Sequence, residues 1–232
     1  MRNRKPKPPK KQIPQLENNI QPSVKKSRGF HLEFLNAAQR SIWSELEKND
    51  IIFLLGSAGT GKTFIATAYS IYSFLRKETS KIMITRPIVE AGASMGYLPG
   101  SADEKLHPYM LPIYDTLDEL VGKEGPQRMA LNRSLEVAPI NFLRGRTAKH
   151  AVFILDEAQN CTYTQIKLFL TRIGEGSKLI ITGDPFQSDL GGRVALMEIV
   201  EKLSDVKNIA VIKIGDESIV RHPIIGDITS RI

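Results

Sequence analysis

The chain has 232 residues, of which 41% are hydrophobic and 25% charged, with a net charge of +7. That length accommodates one sizeable α/β domain and little more, and no apolar run approaches the roughly 18 residues a membrane span needs. The single cysteine, Cys161, excludes an intramolecular disulfide, offers no zinc-site spacing and fits a reducing, cytoplasmic setting.

The charge is unevenly placed. Residues 1–28 hold nine Lys and Arg residues against one acid, Glu17, so this segment carries +8 and the rest sums to −1. Pro6, Pro8, Pro9, Pro14 and Pro22 interrupt it, and it has too little apolar surface to order itself. Residues 1–29 are therefore expected to form a disordered basic tail ahead of a domain over 30–232. Such an arm adds salt-sensitive affinity for polyphosphates, nucleic acid included. It is basic but has no apolar segment behind it, so it is not expected to be a secretory signal.

From Phe30 onward helical and strand patterns alternate. Residues 34–48 have helical spacing, with Leu35, Ala38, Ile42 and Leu46 on one stripe. Ile51–Leu55 predicts a buried strand, Thr60–Arg76 a helix, and Ile82–Thr85 a second strand. Residues 88–134 are punctuated by glycine and proline and are expected to be irregular or helical; 92–112 suits a mobile loop or a rigid connector. Glu136–Ala138 and Ala151–Leu155 predict strands, Thr162–Ile173 a helix, Leu179–Thr182 a strand, Val194–Leu203 a helix and Ile209–Ile214 a strand. Near-continuous apolar strands separated by helices predict a mainly parallel sheet covered on both faces.

Three motifs sit at strand ends. "GSAGTGKT" places Gly56, Gly61, Lys62 and Thr63 in the G-x-x-x-x-G-K-[ST] pattern, between a predicted strand and a predicted helix. Its glycines let the backbone curl until N–H groups from Ser57, Ala58, Gly59 and Thr60 point at one anion. The helix start adds its positive end. Lys62 is expected on the β- and γ-phosphates of a nucleotide and Thr63 on Mg²⁺. The pattern arises by chance in about one chain in a hundred of this length.

In "VFILDEAQN" four apolar residues deliver Asp156 and Glu157 to the carboxyl end of a strand, where α/β sheets bind ligands. A carboxylate there suits Mg²⁺, which assigns Asp156 to the metal. Glu157 is expected to orient and deprotonate an attacking water, which favours NTP hydrolysis over kinase chemistry. Strand alternation does not put both acids on one face, so the strand must end near Asp156. "LIITGDPFQSDL" ends a third strand at Gly183 and Asp184, with Gln187 in the loop. A neutral amide there can report the γ-phosphate as a switch element; a turn built on Gly-Asp-Pro chemistry is equally compatible. His31, His107, His150 and His222 lack metal-ligand spacing, and Trp43 and Cys161 are expected to serve packing.

Together with "ITRPIVEAGASMGYLPGSADEKLHPYMLPIYDTL", "EVAPINFLRGRT", "LFLTRIGEGSK" and "VRHPII", these motifs resemble the PhoH-like family, P-loop NTPases similar to the first motor domain of superfamily 1 helicases. The resemblance covers roughly residues 32–230. It implies a RecA-like α/β fold and Mg²⁺-dependent ATP hydrolysis, coupled to RNA or single-stranded DNA. It places Gly59, Gly61, Lys62 and Thr63 in the first motif, Asp156 and Glu157 in the second and Gln187 in the third. Gln39, 17 residues before Gly56, matches a glutamine that reads the adenine edge, and Arg86 in "TRP" matches a contact to single-stranded nucleic acid. Unlike the helicases, the sequence shows one motor domain. The arginine that stabilises the transferring phosphoryl group is then expected from this domain or a neighbouring subunit, with Arg221 favoured over Arg172, and with Arg144 and Arg146 also in a matched segment. A contribution from a neighbour implies a closed homo-oligomer, a hexamer by resemblance. The rival expectation is a nucleotide-dependent switch or assembly module without motor activity. In either case Lys62 and Asp156 are expected to converge across neighbouring sheet edges.

Overall fold

The structure, a computed structural model, describes residues 24–27, 30–34, 37–88, 102–185, 187 and 195–215. It opens on an antiparallel hairpin, β1 (Val24–Ser27) against β2 (Phe30–Glu33). The expected disordered tail thus loses Val24–Ser27 to a strand, because Phe30 and Leu32 are buried in the core and anchor β2 for β1 to pair with. The remainder of the tail, residues 1–23 and 28–29, lies outside the described residues.

The body is a six-stranded sheet in which every pairing is parallel. Its strands are β3 (Ile51–Gly56), β4 (Lys81–Arg86), β5 (Leu135–Pro139), β6 (Ala151–Leu155), β7 (Lys178–Gly183) and β8 (Ile209–Ile214). Their spatial order is β5-β4-β6-β7-β3-β8. β6 is buried at all five positions, and the middle of β3, β4 and β7 likewise. Strands covered on both faces lose the polar alternation of a half-exposed sheet.

Two cores result, one per face. On the first, α1 (Ala37–Lys48), α2 (Lys62–Leu75) and α3 (Ala102–Val121) cover Ile52, Leu54, Ile82, Ile84, Val152, Ile154 and Ile180. On the second, α5 (Tyr163–Leu170) and α6 (Ala195–Leu203) cover Phe53, Leu55, Met83, Phe153, Leu155, Leu179 and Ile181. Alternate residues of each strand therefore feed opposite cores. A short α4 (Glu124–Leu131) follows α3 and packs on it.

The region expected to be irregular or helical contains the 20-residue helix α3, despite Pro108 and Pro112 inside it. An interior proline costs about 3 kcal/mol in an exposed helix. Here both prolines lie on the exposed face, four residues apart, while Met110, Ile113 and Leu117 form a buried stripe on the other. Burial of the stripe outweighs the loss of the two helical bonds. Residues 89–101 lie outside the described residues.

Trp43 joins the helical layer over the first face. It is 2% exposed, meets Phe34, Tyr69 and Tyr72 edge-on at 5.3–5.4 Å between centroids, and donates its indole N–H to Glu47 at 2.9 Å. Replacing it with alanine is expected to cost about 3–5 kcal/mol, read as a lower urea midpoint with little change in slope.

Candidate functional site

The order of strands decides which side chains meet. β3 ends in the glycine-rich loop and β6 ends at Asp156, but the two are not neighbours: β7 lies between them. The expectation of neighbouring sheet edges is corrected to this extent. The inserted strand is part of the site, because it carries Thr182.

Thr182, Asp156 and Arg86 end their strands in phase with residues of the first core, so their side chains emerge on the α2 side. Asp156 is 2% exposed, a burial that a carboxylate tolerates only with partners. Its Oδ1 accepts from the Thr63 hydroxyl at 2.6 Å and from the Thr182 hydroxyl at 2.6 Å. Its backbone N–H donates to the Thr85 carbonyl at 2.8 Å, and the Arg86 guanidinium lies 3.9 Å from its Oδ2. A first-motif hydroxyl and a second-motif carboxylate, 93 residues apart in the chain, are thus in direct contact. Hard oxygen donors of these two kinds are the set that Mg²⁺ takes alongside water and phosphate.

The loop itself fits an anion. Gly59 and Gly61 adopt φ of 88° and 78°, a region that favours glycine. A Cβ on Gly56 would stand 2.7 Å from the Ile214 carbonyl, so β8 also demands a glycine here. No side chain caps the start of α2, whose first N–H groups lack helical partners. The Lys62 amine donates to the carbonyls of Gly56 at 2.7 Å and Ser57 at 2.8 Å, and the Thr60 hydroxyl donates to Ser57 at 2.8 Å. The lysine therefore lies over the loop that its motif predicts it to serve. A cradle of backbone donors with an ammonium across it fits a polyphosphate.

Glu157 solves the alternation problem. β6 ends at Leu155, and Glu157 turns into the left-handed region with φ 55° and ψ 43°. This conformation is costly for a residue with a Cβ and persists where the surroundings enforce it. Its side chain is about one-third exposed and faces the Arg86 guanidinium at 3.6 Å. Gln159 donates its amide to the other carboxylate oxygen.

Gln39 is 6% exposed on α1, and its amide nitrogen lies 3.8 Å from where a Cβ on Gly61 would be. The structure thus brings this glutamine to the loop. Gln187 is exposed, four residues past the end of β7 on the same sheet edge. Arg221 lies outside the described residues. Arg172 and Arg146 do not join the site within one chain. Arg172 donates to the Arg146 carbonyl at 3.1 Å, and its own carbonyl accepts from Ala148, ahead of β6 and at the opposite sheet edge. Arg146 pairs there with Glu136, whose carboxyl the neighbouring Lys81 and Arg146 hold below its usual range despite partial burial. Arg144 is exposed. Burial pushes the Cys161 thiol up to about 12, so this cysteine packs rather than reacts.

Sequence reasoning missed Thr182 and Gln159. Thr182 had a signal: it ends an apolar strand in the position equivalent to Asp156. Gln159 had only its place within "DEAQN", and its contacts depend on the turn at Glu157.

A family model described as PhoH-like protein matches residues 31–232. The chain is 41% identical over 207 residues to a PhoH-like protein of Bacillus subtilis, covering 88% of this chain and 65% of that protein. It is 41% identical over 192 residues to a PhoH-like protein of Mycobacterium tuberculosis, and 38% identical over 191 residues to Protein PhoH of Escherichia coli, covering 54% of each. The chain thus spans between half and two-thirds of the length of these relatives. Among solved structures, it is similar to the Sulfolobus solfataricus SWI2/SNF2 ATPase core in complex with dsDNA. The TM-score is 0.52 at 13% identity, over 86% of this chain and 48% of that one, a likeness of fold alone. A parallel sheet with this loop at the end of an inner strand, one in from the edge, is the RecA-like P-loop NTPase fold. By its match over residues 31–232 and its relatives, the chain belongs to the PhoH-like protein family.

Proposed function

We propose that the protein hydrolyses ATP with Mg²⁺ and couples this to RNA or single-stranded DNA. The observation that carries the proposal is the 2.6 Å contact between Thr63 and Asp156 beside the lysine-covered loop. Ser57, Ala58, Gly59, Thr60 and Gly61 offer backbone donors to the phosphates, Gly56 lets the loop begin, and Lys62 moves from the loop carbonyls onto the β- and γ-oxygens. Thr63 and Asp156 would hold Mg²⁺, which would supply charge neutralisation to the phosphates. Gln39 reads the adenine edge.

Glu157 accepts the proton of a water whose oxygen bonds to the γ-phosphorus as the bond to the β-phosphate bridge breaks. ADP and phosphate leave, and the proton passes to the products. Gln187 contacts the γ-phosphate or the water and moves when the phosphate leaves. Arg86 contacts a nucleic-acid phosphate. Arg221 of a neighbouring copy stabilises the transferring group, in a closed homo-oligomer, taken here as a hexamer. This assignment is supported by the positions of Arg146 and Arg172 at the far sheet edge. Among the described residues no helix is long and apolar enough to cross a membrane, and we assign the protein to the cytoplasm.

Glu157→Gln is expected to bind ATP with wild-type affinity and to turn over about 100-fold or more slowly, read by phosphate release; normal turnover removes Glu157 from its role. Lys62→Ala is expected to lose ATP binding or turnover in the same assay, and an intact enzyme contradicts the loop assignment. Poly(U) is expected to stimulate hydrolysis even after removal of residues 1–23; an ATP-dependent change in sedimentation without stimulation indicates the switch or assembly module. Arg221→Ala is expected to lose hydrolysis and regain part of it when mixed with Glu157→Gln. No recovery on mixing excludes a role across subunits.

A further inference from the structure

The carboxylate of Glu157 is held at both oxygens by different elements. Oε2 accepts from the Gln159 amide, and Oε1 faces the Arg86 guanidinium at 3.6 Å. Gln159 is itself 4% exposed, and its amide oxygen accepts the backbone N–H of Asp184 at 3.0 Å. A side-chain amide offers one acceptor and two donors, so one glutamine can bridge an anion and a backbone donor at once. Asp184 immediately follows β7 and begins the loop that carries Gln187. The bridge is fitted closely: a Cβ on Gly183 would stand 3.2 Å from the Gln159 amide oxygen and 2.6 Å from Leu196. Arg86, by contrast, ends β4, is about one-quarter exposed and spans both acids at 3.6–3.9 Å. It is a looser partner that can exchange one anion for another.

The two oxygens therefore differ in kind. Oε2 is tied to a buried bridge that continues into the β7 loop. Oε1 is tied to an accessible cation. A carboxylate that is to take a proton from water needs one oxygen available in the right direction and the other fixed. We propose that Gln159 is the positioning residue for Glu157, and that Arg86 occupies the proton-accepting oxygen until a nucleic-acid phosphate draws the guanidinium away. The proposal rests on the hydrolase reading above and adds to it a route by which strand binding releases the base. It also gives the β7 loop a direct mechanical link to the same carboxylate, through Asp184.

Steady-state ATP hydrolysis of the full chain, with and without poly(U), tests this in three proteins. Gln159→Leu is expected to lower kcat about tenfold or more at nearly unchanged KM, with wild-type affinity for a fluorescent ATP analogue, both with and without poly(U). A residue that merely supports the fold would lower the melting temperature and the nucleotide affinity instead, and that result, or a kcat within about twofold of wild type, overturns the positioning role. Arg86→Gln is expected to raise the rate without poly(U) several-fold, toward the stimulated wild-type rate, and to abolish further stimulation. An unchanged or lower basal rate overturns the restraint by Arg86. Wild-type protein without turnover, or with turnover that poly(U) does not stimulate, overturns the underlying hydrolase or nucleic-acid reading and this proposal with it. Stimulated wild-type turnover with unaltered variants overturns this proposal alone.

Discussion

A buried carboxylate needs partners, and Asp156 finds them on three elements. Thr63 comes from the loop-helix junction after β3, Thr182 from β7, and Arg86 from β4. None of these is near Asp156 in sequence. Parallel strands β4, β6, β7 and β3 bring them to one edge. The rest of the molecule can be understood as what holds this edge in register: two apolar cores, one on each face, packed against strands buried on both sides. The sheet is the device that converts distant motifs into one site.

The inserted β7 has a second consequence. It separates the strand that ends in the glycine-rich loop from the strand that ends at Asp156. Thr182 steadies the metal-type carboxylate directly, while Asp184 reaches Gln159 and through it Glu157. One strand therefore touches both acids by different routes. A displacement of Asp184 would be felt at Glu157 without any movement of the sheet.

Much of this was legible in the residues. Strands such as Ala151–Leu155 and Ile51–Gly56 announced themselves because a doubly covered strand is apolar at nearly every position. The loop and the acidic pair were legible because a polyphosphate and a divalent cation demand particular residue types at fixed spacing. Other features were not. Helix α3 was obscured by Pro108 and Pro112, whose cost depends on which face they occupy, a tertiary fact. The strand Val24–Ser27 sits among lysines and depends on Phe30 and Leu32 being anchored beyond it. Gln159 was hidden because its two bonds exist only once Glu157 turns left-handed and β7 lies beside β6. Arg172 was a candidate in sequence, second to Arg221, and only the topology sends it to the opposite edge.

The central claim is that Lys62, Thr63 and Asp156 form a single receptor for a magnesium-bound triphosphate. A crystal structure with Mg²⁺ and a non-hydrolysable ATP analogue tests it most directly. The account predicts the ion between the Thr63 hydroxyl, the Asp156 side and the phosphates, with the Lys62 amine moved off the Gly56 and Ser57 carbonyls. A nucleotide seated away from this loop, or a Lys62 amine still on those carbonyls beside a bound triphosphate, would contradict it.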